Sequence, residues 1–350
     1  MSLKILDKEA VAPLVEALMA DYKVVGPQAK GSTRSPQGSK FAFDPVTDPA
    51  QLRLDYDTTI LPPKKVFQPQ QERLATFTMG DDPQVETVIE VEPTVLLGMH
   101  TCDLHALNLL DKAFLEDYPD AHYLTRREQT LIVSMECLQP CDDESFCRSM
   151  GTLTVDDGFD LHLTDLGEAF AVEIGTEAGA QLLADYAEAR DATEEEANQK
   201  DQLQASKIKH FADRLNFDAD ELPALLGDAF DDDYWDELKE RCFACGSCTN
   251  VCPTCYCFNV VDEVNLALTE GERIRHWDSC QLDEFARVAG GENFREGRDA
   301  RQRHRFMRKG KYLFEKFGAL GCVGCARCIR TCPASISILK GFNTIHASLR

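Results

Sequence analysis

Cysteines in a repeated pattern are the side chains of this sequence best suited to chemistry. Cys242-x-x-Cys245-x-x-Cys248-x-x-x-Cys252-Pro253 recurs as Cys322-x-x-Cys325-x-x-Cys328-x-x-x-Cys332-Pro333. Two-residue gaps let three thiolates on one tight loop wrap one face of a metal–sulfur cube. The fourth cysteine, just before a proline that opens a helix, points at the other site, as in the bacterial run that holds [4Fe–4S] clusters. In a two-cluster arrangement one cluster takes Cys242, Cys245, Cys248 and Cys332, and the other takes Cys322, Cys325, Cys328 and Cys252. Ala244, Gly246, Ser247, Gly324 and Ala326 are small enough for backbone amides to reach the sulfurs and tune their potential. The plainer reading is a pair of structural zinc sites. Zinc takes its four ligands as two pairs, and a third cysteine followed by Cys-Pro has no use there.

Four cysteines of the first half form a second candidate set. Cys102 ends one expected strand and opens a helix, and Cys137 ends the next strand. Both then lie on the carboxyl edge of a sheet, where open α/β sheets place ligands. Cys141 and Cys147 follow in the loop Leu138-Gln-Pro-Cys-Asp-Asp-Glu-Ser-Phe-Cys. A third iron–sulfur cluster on these four is expected; the rival is a reactive thiol at a helix N-terminus, Cys102, with the others structural. Cys255, Cys257 and Cys280 lie beside the repeated runs. They are either buried thiols or additional metal ligands.

The elements that must position these residues are readable in part. Val11, Leu14, Val15 and Leu18 mark an amphipathic helix over 9–20, and 26–39 reads as an exposed loop. Ile60-Leu-Pro-Pro-Lys-Lys-Val-Phe is expected to be extended. Thr94–Met99 reads as a buried strand and Asp103–Phe114 as a helix with Leu104, Leu107, Leu110 and Phe114 on one stripe. Leu131–Met135 is the next strand, giving a parallel strand–helix–strand unit. Residues 156–174 alternate as a meander of half-exposed strands, and 186–205 read as a solvated acidic helix or linker. The expected fold is an α/β (α+β) domain over 1–190 with a short parallel βαβ unit. An acidic helical linker over 191–235 leads to a two-cluster bacterial ferredoxin-like domain over 236–350, which carries a long helical insert, 253–321.

Charge divides the chain in the same place. Of 350 residues, 60 are Asp or Glu and 37 Lys or Arg, a net −23, and there are 15 cysteines. Residues 241–350 hold 17 basic against 11 acidic residues, whereas the remainder holds 20 against 49. A basic host partly offsets the negative charge of a four-thiolate cluster and raises its potential. The stretch Arg295–Lys311, with Arg298, Arg301, Arg303, Arg305, Arg308 and Lys309, reads either as a solvated helix face or as a docking surface for an acidic partner. The acidic balance argues against nucleic acid as a partner, and no apolar run approaches the length of a membrane span. The opening residues lack the apolar core of a signal peptide. A cytoplasmic protein is expected, with thiols used for metal or redox chemistry rather than disulfides. No catalytic residue is assigned. There is no glycine-rich dinucleotide fingerprint and no phosphate loop, Gly98-Met-His-Thr-Cys is too poor in glycine, and His100 and His105 read as structural. These absences argue against an enzyme with its own substrate site.

Longer segments carry a family resemblance. Leu61-Pro-Pro-Lys-Lys, Cys102-Asp-Leu, Tyr123-x-x-Arg-Arg-Glu and Asp157-Gly-Phe-Asp-Leu belong to it. So do both cysteine runs, Cys252-Pro-Thr-Cys-Tyr-Cys, Trp277-Asp-Ser-Cys-Gln and Val288-Ala-Gly-Gly. Together they resemble the iron–sulfur beta subunit of soluble sulfhydrogenases (cytoplasmic [NiFe] hydrogenases) and the related A subunit of anaerobic sulfite reductase. The resemblance implies an electron relay through [4Fe–4S] clusters between a flavin/NAD(P)H subunit and a catalytic metal subunit. The alternative is electron input to a sulfite reductase or heterodisulfide-reductase-like complex. The sequence departs from that family at Ser145-Phe-Cys147, where members often have Cys-Phe-Cys. With serine there, either Cys141 takes the place of the missing thiolate or the third cluster is absent. Glu292 stands where the family has a histidine.

Overall fold

Two sheets organise the chain. In the computed structural model, which describes residues 3–30, 41–116 and 118–350, the first strands are β1 Lys4–Asp7, β2 Lys23–Ala29, β3 Phe41–Pro45, β4 Gln71–Thr78, β5 Val85–Thr87 and β6 Thr94–His100. They continue as β7 Thr130–Met135, β8 Leu161–Asp165, β9 Ala169–Ile174, β10 Arg190–Asp191, β11 Phe258–Val264 and β12 Glu270–Trp277. The larger sheet has the order β10-β1-β9-β8-β7-β6-β2-β3, and the smaller β11-β12-β4-β5. β2, β6, β7 and β8 pair parallel in the middle of the larger sheet, with antiparallel strands outside them. The fold is thus mixed α/β.

Strand β6 is buried along its whole length, as expected of a parallel strand covered on both faces. The helix Lys8–Leu18 covers one face, packing Leu14, Val15 and Leu18 against Val24, Val95 and Leu97. The helix Thr101–Leu115 covers the other with Leu104, Leu107, Leu110 and Phe114, meeting Leu96, Met99 and Ile132. Leu96 and Met99 are three residues apart yet share a face because the register slips between Leu97 and Met99. Gly98 sits at that bulge with φ +81°, and a Cβ there would meet Leu54 and Pro27 at 3.0 and 3.2 Å. Only glycine fits, and the bulge re-aims the strand end that delivers Cys102.

A second core joins Leu222, Leu226, Trp235, Leu238, Phe306, Phe342 and Ile345 to Phe146 and Met150 of the first half. The acidic helix Glu194–Ser206 buries no residue, but from Phe211 and Leu215 onward the segment contributes core side chains.

Several local expectations change. Residues 26–29 complete β2, and 26–28 are buried there; the rest of the expected 26–39 loop, apart from Lys30, lies outside the described residues. Pro63–Val66 is a 3-10 turn rather than extended chain, with Pro63 supplying its helical φ at the first position. Strands β8 and β9 are mostly buried, not half-exposed, because β8 is an inner strand and β9 lies between β8 and β1. The insert 253–321 is not all helical. It begins with the β11–β12 hairpin, and β12 pairs with β4 from the far end of the sequence. Among the described residues no helix is long and apolar enough to cross a membrane.

Candidate functional site

The C-terminal runs form two loops whose backbones turn through left-handed conformations. Ala244 and Ala326 have φ of 53° and 56°, and Gly246 and Gly324 follow the same pattern at 76° and 69°. Such turns aim successive amides inward. Ala244 N donates to the Cys242 sulfur and Ile336 N to the Cys332 sulfur, each at 3.3 Å.

Cys242, Cys245, Cys248 and Cys332 line one cavity together with Gln302, Arg305 and Ile336. Gln302 Nε2 donates to the Cys242 sulfur at 2.9 Å. Cys245 is exposed to solvent. A second group lies inside the molecule. Cys322 is within electrostatic reach of Cys328, Cys325 and Cys252, and burial pushes its thiol well up. Burial likewise raises Cys325 and Cys328. The first run's last cysteine therefore stands with the second run, and the second run's last cysteine with the first.

A third group gathers at the carboxyl end of the parallel strands. Cys102 is near Cys325 and Cys137, Cys141 near Cys137 and Cys147, and Cys147 near Cys137 and Cys325. Burial pushes Cys147 up to about 12. The loop bearing Cys147 is pressed against the second run: Phe146 N donates to Gly324 O at 2.8 Å and Thr152 Oγ1 to Val323 O at 2.7 Å. Ser145 faces elsewhere, its hydroxyl donating to Asp142 O at 2.9 Å. Burial pulls His100 down to about 4, so it stands neutral, stacked on Tyr56 with ring centroids 4.2 Å apart. His105 is held by Thr154 O at 2.7 Å. Both histidines are accounted for structurally.

Of the remaining cysteines, Cys255 is hydrogen-bonded to Cys252, and Cys257 to Cys280. The Cys280 contact and nearby cations pull Cys257 down to about 6. Among the described residues no three His, Cys, Asp or Glu side chains converge tightly enough to hold a single metal ion. A four-iron cube is far larger than one ion and holds its ligands correspondingly further apart.

The cations around these thiols were misread in the sequence. Arg301, Arg305 and Lys309 repeat every four residues and are buried, so this part of the 295–311 stretch is neither a solvated face nor a docking surface. Burial opposes the charge of Arg305, but Cys248, Cys328 and Cys252 outweigh it and hold the guanidinium protonated. Burial likewise opposes Lys309, which is held by Cys252 and Cys255 and donates to Thr254 Oγ1 at 2.5 Å. Arg327 is flanked by Asp103, Cys325 and Cys102. Lys64, from the Leu61-Pro-Pro-Lys-Lys segment, donates to Cys255 O and lies 4.3 Å over the Trp277 ring; burial lowers it to about 8. A buried charge without an anion costs several kcal/mol. Arg305 and Lys309 face thiols rather than carboxylates, so the donor set fits an anionic four-thiolate cluster and not an empty apolar core. The clue available in the sequence was the fourfold spacing of the cations alongside the cysteine runs.

Interleaved cysteine loops backed by buried cations define an iron–sulfur protein of the two-cluster kind. In agreement, the family described as a 4Fe-4S dicluster domain matches residues 241–336. The chain is also similar to sulfhydrogenase 2 subunit beta of Pyrococcus furiosus, 36% identical over 331 residues covering 93% of each chain. The chain belongs to the family of sulfhydrogenase beta subunits. No solved structure matches it.

Proposed function

We propose that this chain is the electron-transfer subunit of a multisubunit cytoplasmic oxidoreductase. It exchanges electrons between a flavin/NAD(P)H-binding subunit and a [NiFe] hydrogenase catalytic subunit. Cys242, Cys245, Cys248 and Cys332 hold one [4Fe–4S] cluster, and Cys322, Cys325, Cys328 and Cys252 a second. Cys102, Cys137, Cys141 and Cys147 hold a third. When bound, such clusters supply one-electron carriers whose potentials depend on ligands, hydrogen bonds and exposure.

The chain's own residues supply the rest. The positive-φ turns and Gln302 direct N–H groups at sulfur, while Arg305, Lys309 and Arg327 offset thiolate charge in a medium of low dielectric. Cys255, hydrogen-bonded to Cys252, and the Cys257–Cys280 pair, with Cys280 in reach of Cys248, flank the two groups as thiols outside the cluster ligand sets. The observation that carries the reading is the exchange of the final cysteines between the two runs, with buried cations facing both groups. Isolation of the assembly under anaerobic conditions tests it, with iron, labile sulfide and co-purifying subunits measured together. Iron-rich material with a flavoprotein and a nickel subunit is expected. A chain that stays iron-free after reconstitution overturns the proposal, and a sirohaem partner in place of nickel would assign it to sulfite reduction.

A further inference from the structure

Arg305 sits where the two ferredoxin-type thiol groups approach each other. It is 3% exposed and lines the cavity formed with Cys242, Cys245, Cys248 and Cys332. It is also in electrostatic reach of Cys328 and Cys252, which belong to the other group. Its Nη1 donates to Gln302 Oε1 at 3.3 Å, while among the described residues its buried Nη2 has no hydrogen-bond partner. Gln302 is fixed in turn: its Nε2 donates to the Cys242 sulfur at 2.9 Å and to Gln281 Oε1 at 2.8 Å, and Gln281 Nε2 donates to Arg301 O at 2.9 Å. One prong of the guanidinium is thus committed to Gln302, and the side chain lies between two sets of sulfurs with the Cys328 sulfur in hydrogen-bonding reach.

Resting on the cluster reading above, we infer that Arg305 is a positioning residue shared by both ferredoxin-type clusters, its fork donating to sulfur at each and its charge raising both reduction potentials together. Each added electron makes a cluster more negative, and a fixed buried cation favours that state. A guanidinium presents several donors in a rigid plane and can serve two acceptors at once, whereas an ammonium is a compact point charge. Lys309 is the internal contrast. Its strongest interactions are with Cys252 and Cys255, and it does not line the cavity of Cys242, Cys245, Cys248 and Cys332, so its influence falls chiefly on one of the two sites.

The test is a redox titration of the anaerobically reconstituted full chain, followed by electron paramagnetic resonance, with iron counted on the same samples. Arg305→Gln is expected to lower two of the midpoint potentials at undiminished iron content. Arg305→Lys is expected to lower only one of the two. Arg303→Gln, whose guanidinium lies over the Phe230 ring 4.3 Å away, is expected to lower neither. An iron-replete Arg305→Gln protein with both potentials at parental values, or with only one lowered, overturns the inference. Should Arg305→Gln fail to retain iron, Arg305→Lys decides: two unmoved potentials overturn the shared role. A parent chain that never acquires iron overturns the cluster reading instead, so the two failures are distinguishable.

Discussion

Arg327 and Asp103 form a two-pronged ion pair, 2.6 and 2.8 Å long, with both side chains about 1% exposed. Asp103 follows Cys102 at the start of the helix Thr101–Leu115, and Arg327 lies between Cys325 and Cys328. The pair therefore locks a thiol loop of the first half to one of the second. Removing one partner of a buried pair strands the other's charge and costs about 3–5 kcal/mol. Asp103→Asn is expected to show that loss in denaturant unfolding of the reconstituted chain. An unchanged unfolding midpoint would mean that the pair contributes nothing.

Iron content separates the three thiol groups. Four irons per cluster give about twelve per chain if all three are filled. Cys325→Ser and Cys141→Ala are each expected to remove about four. Ser145→Cys is expected to leave the count unchanged, because the Ser145 hydroxyl is engaged with Asp142 while Cys141 stands beside Cys137 and Cys147. Eight irons in the parent chain would eliminate the third cluster.

Gly324 tests the contact between the second and third groups. Its φ is +69°, and an added Cβ would lie 2.6 Å from backbone atoms of Cys147 and Phe146. Gly151 has the same φ, +70°, with nothing within 4 Å. Left-handed backbone alone costs a non-glycine residue roughly 1–2 kcal/mol. Gly151→Ala is expected to cost about that much and Gly324→Ala distinctly more, with iron lost as well. Thermal unfolding and iron analysis compare the two, and equal losses would refute the close approach.

Acid stability has an identifiable source between the two sheets. Burial alone would raise Asp120, but Arg275 and the Tyr123 amide outweigh it, so its carboxyl titrates below the ordinary value of 3.8. Arg275 also pairs with Glu72 at 2.6 Å, and Arg126 with Glu72 at 2.5 Å. A carboxyl lowered by folding stabilises fully above its ordinary pKa, and that stability disappears as pH falls through the depressed one. Asp120→Asn keeps an acceptor for the Tyr123 amide and removes the charge. The variant is expected to be less stable near neutrality and to lose less on acidification below about pH 4, as read from unfolding midpoints across pH. An acid limb identical to the parent's would refute the assignment.

Local chemistry was legible in the sequence, and long-range placement was not. The cysteine runs could be read because three thiolates on one loop need a fixed short spacing. The strands at Thr94 and Leu131 could be read because central parallel strands are continuously apolar. The cations at 301, 305 and 309 were misjudged because a charged helical stripe ordinarily faces water. Here it faces thiols, and only the fold shows which side they occupy. The hairpin in the insert was missed for a related reason. Val260, Glu263, Arg273 and Arg275 alternate weakly, and the strand that fixes them, β4, lies almost two hundred residues earlier.

That last pairing governs how the molecule is made. Strand β4 is translated long before β12, so its hydrogen-bonding edge waits unpaired until synthesis has passed Trp277. The region between the cysteine runs cannot be lifted out as a free-standing cartridge without exposing that edge to other chains. Nascent polypeptides stalled before this point are the species most exposed to aggregation.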